Sequence, residues 1–109
     1  MYKIVQKEHA ALRVIAESKI ALNYITKDVS PSLSLAITEA YNHSEKELCD
    51  YDRIYFILEG AMTIEADGDT FELNPEEACY IARGTKYSMQ GTFKAVVVNT
   101  PAYGSASKD

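Results

Sequence analysis

The dipeptide Asp67-Gly68 constrains this chain more than any other feature. It stands between Met62 to Ala66 and Thr70 to Leu73, two short segments of strand-like residues. Aspartate and glycine both tolerate positive φ, so the pair predicts a two-residue hairpin turn between antiparallel strands. The rest of the chain repeats this grammar. From Ser32 to Tyr41, Leu33, Leu35, Ile37, Glu39 and Tyr41 share one face, while Ser34, Ala36, Thr38 and Ala40 share the other. Such period-two alternation predicts half-buried strands. The longer side chains predict that the Leu33-to-Tyr41 face is the inward one.

Further strands are expected at Ile20 to Thr26, Arg53 to Glu59, Ala78 to Ala82 and Phe93 to Asn99. Ser30-Pro31 and Asn74-Pro75 supply turns. Arg53 to Glu59 is apolar on both faces, with Gly60 expected to end it; such a strand wants cover on both sides. Val5 to Ser18 reads as a helical stripe or as strand and irregular structure, with the second reading preferred. About eight short strands predict an all-β fold, an antiparallel barrel or jelly roll.

Length sets the scale. A chain of 109 residues is about one domain, expected to span residues 1–103 with a frayed tail at 104–109. The net charge of −5 speaks against nucleic-acid and anionic-membrane partners. No apolar run reaches the ~18 residues of a membrane span. Met1-Tyr2-Lys3-Ile4 lacks a signal-peptide profile, so a cytoplasmic location is expected. Cys49 and Cys79 lack close-spaced pairing, which predicts free thiols.

Two segments resemble the motifs of the cupin superfamily. Asp52-Arg-Ile-Tyr-Phe-Ile-Leu-Glu-Gly60 is similar to the first motif, and Pro75 to Tyr87, through Ala82-Arg83-Gly84-Thr85-Lys86-Tyr87, is similar to the second. The resemblance implies a cupin-type antiparallel β-barrel, commonly paired as a homodimer. It implies no single activity, because one fold hosts many. The family's metal site reads His-x-His, three or four residues, Glu, then six residues to a glycine; a further histidine closes the second motif. Counting from Gly60 places Arg53 in the glutamate slot. Glu47 and Cys49, or Lys46 and Leu48, take the first histidine slots, and Tyr87 takes the last.

That substitution has chemical content. A guanidinium repels a cation and stays protonated. A phenol with a pKa near 10 binds divalent ions poorly at neutral pH. The expectation is therefore no metal and no cofactor. One alternative is a bulge that turns Asp52 inward instead of Arg53, completing an acidic cluster with Glu45 and Glu47.

The resemblance and the residue types together nominate a pocket. Arg53 suits an anion, pairs internally with Glu47 or Glu39, or points outward at the start of its strand. Tyr87 and Glu39 are candidates for proton transfer. Tyr41, Tyr55 and Glu47 are candidate ligand contacts, and Cys49 is either a thiol activated by Arg53 or a small buried hydrophobe. Tyr80 and Cys79 read as packing, and His43 and His9 as surface residues. The leading reading is a metal-independent barrel that binds a small anionic or polar molecule. Its rivals are a metal-dependent enzyme with acidic or cysteine ligands, and a non-catalytic sensor or scaffold.

Overall fold

The computed structural model describes residues Met1–Ser105, and the chain is built almost wholly of antiparallel strands. A short 3-10 turn at Lys7–His9 precedes β1 (Ala11–Ala16), which settles the ambiguous N-terminal region as turn and strand. There follow β2 (Lys19–Ile25), β3 (Ser34–Leu48), β4 (Asp52–Ala66), β5 (Asp69–Leu73), β6 (Ala78–Ile81) and β7 (Lys86–Thr100). The expected hairpin joins β4 to β5, with φ of +52° at Asp67 and +82° at Gly68. No described helix is long and apolar enough to cross a membrane.

Three strands, β3, β4 and β7, are each 15 residues long and run through both halves of the barrel. One half orders its strands β1-β2-β3-β7-β4-β6; the other orders them β3-β7-β4-β5. The long strands bend along a shared line. β3 gains an extra residue between Ala40 and His43, with φ +45° at Asn42. β4 gains one between Ile57 and Glu59. Gly60 does not end β4, as expected, but sits inside it at φ +76°, where a Cβ would lie 2.2 Å from the Thr92 carbonyl oxygen. Only glycine permits that crossing of β4 over β7.

Each bulge reverses which residues face inward. Before the β3 bulge, Ser34, Thr38 and Ala40 are buried; after it, His43 is buried and Glu45 and Glu47 are turned inward. The sequence-based assignment of faces on β3 is therefore reversed. The inward face is the small one, and Leu33, Glu39 and Tyr41 are exposed. Small side chains go inside because the barrel holds a cavity there. The core of Tyr55, Ile57, Met62, Ile64, Ile81, Met89, Phe93 and Val97 fills the rest. Ile54, Phe56 and Leu58 point outward and stay partly exposed in the single chain.

Gly104 and Ser105, expected in the tail, are tied back: the Gly104 amide donates to the Tyr51 hydroxyl at 2.7 Å, and the Ser105 amide to the Ala102 carbonyl at 3.0 Å. The remaining tail, residues 106–109, lies outside the described residues.

Candidate functional site

Register explains why one group of polar residues converges. Arg53 on β4 pairs with Asn99 on β7, which pairs with Ser34 on β3. The next inward row is Tyr55, Val97, Ala36 and Asn23; the next is Ile57, Ala95, Thr38, Ala21 and Arg13. From the other half, Glu47 on β3 pairs with Tyr87 on β7.

Arg53 is the centre of this group, at 4% exposure. Its Nε donates to Asn99 Oδ1 at 2.7 Å. Its Nη1 donates to Glu47 Oε2 at 2.9 Å and to the Tyr87 hydroxyl at 2.7 Å. Tyr87 in turn donates to Glu47 Oε2 at 3.0 Å, so the Tyr55 hydroxyl, 2.8 Å away, donates to Tyr87. The guanidinium lies 5.6 Å from the centroid of the Tyr51 ring and 5.9 Å from that of Tyr55. A buried charge needs this degree of pairing and hydrogen bonding.

The electrostatics follow from burial and pairing. Burial opposes the Arg53 charge, but Tyr55, Tyr87 and Glu47 outweigh it and hold its pKa above the ordinary value. Burial pushes the Tyr55 phenol up to about 12, against the pull of Arg53. Tyr87 is raised further by burial and by Tyr55. Both phenols are neutral donors at physiological pH.

A second polar group is built on Glu45, two residues before Glu47 on β3. Lys19, buried, donates to Glu45 Oε1. Burial raises the Glu45 pKa, and Lys19 and His43 more than offset this, leaving it below the carboxylate norm. His43 is buried, not exposed as expected. Its Nδ1 is 2.7 Å from Ser18 Oγ, and its Nε2 lies 3.5 Å from Glu45 Oε1 without a hydrogen bond.

A cavity of about 260 Å³ is lined by Arg53, Tyr55, Asn99, Thr38 and Lys19 from one half of the barrel and by Glu45 and Glu47 from the other, with Arg13 and Tyr103. The expected site residues divide cleanly. Arg53, Tyr87, Tyr55 and Glu47 come together by hydrogen bonds. Glu39 and Tyr41 do not join them: both lie on the outer face, Tyr41 at 72% exposure, because the bulge separates their parity from that of Glu47. Cys49 is a buried thiol donating to the Tyr51 carbonyl at 3.0 Å and does not line the cavity. Asp52 points outward, accepting from the Arg83 amide and the Tyr80 hydroxyl at 3.0 Å each, so Arg53 takes the inward place. Asn99, Lys19, Thr38, Arg13 and Tyr103 were not anticipated. The signal for Asn99 was present: it ends the face of β7 that carries Tyr87, Phe93, Ala95 and Val97.

The chemistry of this donor set does not suit the metal that the cupin fold commonly holds. Three slots are filled by a guanidinium, a neutral phenol and one carboxylate already bonded to both. Among the described residues, no three His, Cys, Asp or Glu side chains group closely enough for a metal ion. Divalent transition ions need such a group.

The comparisons place the chain in a family. The profile of the family described as ethanolamine utilisation protein EutQ matches residues 8–105. Among curated proteins, none is similar in sequence at a significant level. Among solved structures, an RmlC-like cupin from Shewanella frigidimarina is 10% identical, with a TM-score of 0.82 over 95% of both chains. The EutQ protein of Clostridium difficile is 20% identical, with a TM-score of 0.69 over 93% of this chain and 82% of that one. The polyketide cyclase RemF from Streptomyces resistomycificus is 22% identical, with a TM-score of 0.77 over 92% and 80%. These likenesses carry the cupin fold. The chain belongs to the EutQ family, and its all-β barrel is of the cupin type.

Proposed function

We propose that this protein is a metal-independent cupin that binds a small polar or anionic molecule in its barrel. One observation carries the reading. The Arg53 guanidinium sits at the barrel centre with Nη1 bonded to both Glu47 and Tyr87, in the slots that supply ligands in metal-binding cupins. A fixed positive charge thus stands where a cation would. The cavity beside it is partly apolar, with a few convergent polar groups, which is the usual make-up of a small-molecule site.

Proton transfer is the chemistry these groups support without a metal. The Glu47 carboxylate lines the cavity and is the proton acceptor; the Tyr87 phenol does not line it and holds that carboxylate by a hydrogen bond. This replaces the expected Glu39–Tyr87 pair, since Glu39 is on the outer face. The similarity to a polyketide cyclase structure is compatible with an enzyme on this fold. The test is amide-resolved NMR of the untagged protein against a panel of small polar metabolites. Binding should perturb Tyr55, Val97 and Thr38. A panel that leaves those amides unmoved would contradict the reading.

We further propose that a second copy of the chain covers the outer face. Ile54, Phe56 and Leu58 on β4 and Leu12 and Val14 on β1 are exposed large apolar side chains of one sheet. Contiguous apolar surface of this kind marks interfaces, and two-fold pairs are the commonest closed oligomers.

A further inference from the structure

The charges around the cavity do not cancel. Arg13, Lys19 and Arg53 line it together with Glu45 and Glu47. Lys19 pairs with Glu45, and Arg53 pairs with Glu47. Among the described residues no carboxylate pairs with Arg13. Its guanidinium lies 4.3 Å from the centroid of the Tyr103 ring, and its buried Nε has no hydrogen-bond partner. An aromatic face holds a guanidinium in place without neutralising it. The donor fork remains available to an acceptor.

A second unsatisfied group faces the same space. Thr38 is 5% exposed, lines the cavity, and its Oγ1 has no partner. Register sets Arg13 and Thr38 in one row with Ala21 between them. Their Cα atoms are thus two strand spacings apart, roughly 10 Å. Ala21 contributes only a methyl group, so both polar ends overhang a shallow floor. Buried polar groups left without partners call for an explanation, and here two of them share one cavity.

We propose that Arg13 and Thr38 form an anion subsite, and that the ligand is a small monocarboxylic acid with a compact apolar body. The proposal rests on the small-molecule reading above and adds the ligand's class and its polarity. One surplus positive charge balances one carboxylate; a dianion would leave buried negative charge. A planar carboxylate accepts from the guanidinium fork and from the Thr38 hydroxyl. Ala21, Ala36, Val97 and the Tyr55 ring offer an apolar wall for the remainder. A cavity of about 260 Å³ equals the liquid volume of about nine water molecules at ~30 Å³ each, which suits a metabolite-sized acid. So seated, the acid's far end faces Tyr55 and the Arg53–Glu47 pair.

The test uses the untagged full chain, NMR of backbone amides at pH 7, and four probes: butyrate, benzoate, benzamide and inorganic phosphate. Butyrate and benzoate should shift the Ala21, Thr38 and Val97 amides saturably, with benzamide at least tenfold weaker. Arg13→Met should weaken benzoate at least tenfold, and Thr38→Val, which keeps the volume, severalfold. Should Arg13→Met lose its dispersed spectrum, Thr38→Val carries the same reading. Equal binding of benzoate and benzamide, or affinity unchanged in Arg13→Met or, if that variant unfolds, in Thr38→Val, would overturn the anion subsite and leave the small-molecule reading standing. Phosphate binding more tightly than benzoate, and dependent on Arg13, would overturn the monocarboxylate class. Four probes that all leave those amides unmoved would count against both.

Discussion

Nη1 of Arg53 lies 2.7 Å from the hydroxyl of Tyr87, joining residues 34 positions apart, from the two halves of the barrel, at one point. Glu47 completes the triangle, 2.9 Å from the guanidinium and 3.0 Å from the phenol. The triangle links β3, β4 and β7, the three strands that run through both halves. It therefore serves the fold as well as the cavity.

Removing Arg53 should consequently cost stability. Arg53→Met strands the Glu47 carboxylate, and breaking a buried pair from one side typically costs about 3–5 kcal/mol. Glu47 is only partly buried, so the lower end is expected. Urea unfolding should show the loss, and Arg53→Met combined with Glu47→Leu should recover part of it. A double variant no more stable than Arg53→Met would mean that the stranded charge is not the cause.

Tyr87→Phe removes one hydroxyl and leaves the ring. It takes a donor from Glu47 and an acceptor from Arg53 and Tyr55. A loss of about 1–3 kcal/mol is expected, measured by the same unfolding curves. An unchanged midpoint would show that water replaces the hydroxyl freely.

Alkali should weaken the fold through the buried phenols. The folded pKa of Tyr55 stands at about 12, above its unfolded value near 10. Its contribution is therefore complete below about pH 10 and is lost as pH rises through 12. A shift of two units amounts to about 3 kcal/mol. Absorbance titration of phenolate should show Tyr55 and Tyr87 ionising late, and Tyr55→Phe should remove one of those two late ionisations. Uniform titration of all eight tyrosines near 10 would contradict the buried cluster.

The face of a strand was harder to read than its existence. Asp67-Gly68 and the period-two alternation located the hairpin and most strands, because turn chemistry and alternation are local properties. The inward face of β3 was misassigned because larger side chains normally mark the core, whereas a barrel with a cavity needs Ser34, Ala36, Thr38 and Ala40 inside. The bulge at Asn42 was equally hidden: Asn42-His43-Ser44 carries ordinary turn residues, and nothing local distinguishes a turn from a bulge within a continuing strand. Glu39 and Tyr41 were lost to that error, while Arg53, Glu47 and Tyr87 survived because motif spacing fixed them independently. Arg13 and Thr38 come from rows that only the register of β1, β2 and β3 brings together.

The outer face offers a separate check. Phe56→Asp places a charge among Ile54, Leu58 and the neighbouring strands without touching the cavity. Sedimentation of the native protein at micromolar concentration should give a dimer, and the variant a monomer. A native monomer would remove the proposed second copy.

The central claim is that a guanidinium replaces a metal at the heart of the barrel. The direct measurement is elemental analysis of untagged protein, with benzoate binding measured before and after EDTA. The account predicts less than about a tenth of an equivalent of any transition metal, by the absence of a fitting ligand group, and binding unchanged by the chelator. Near one equivalent of iron, zinc, nickel or manganese, or binding that EDTA abolishes and added metal restores, would contradict it.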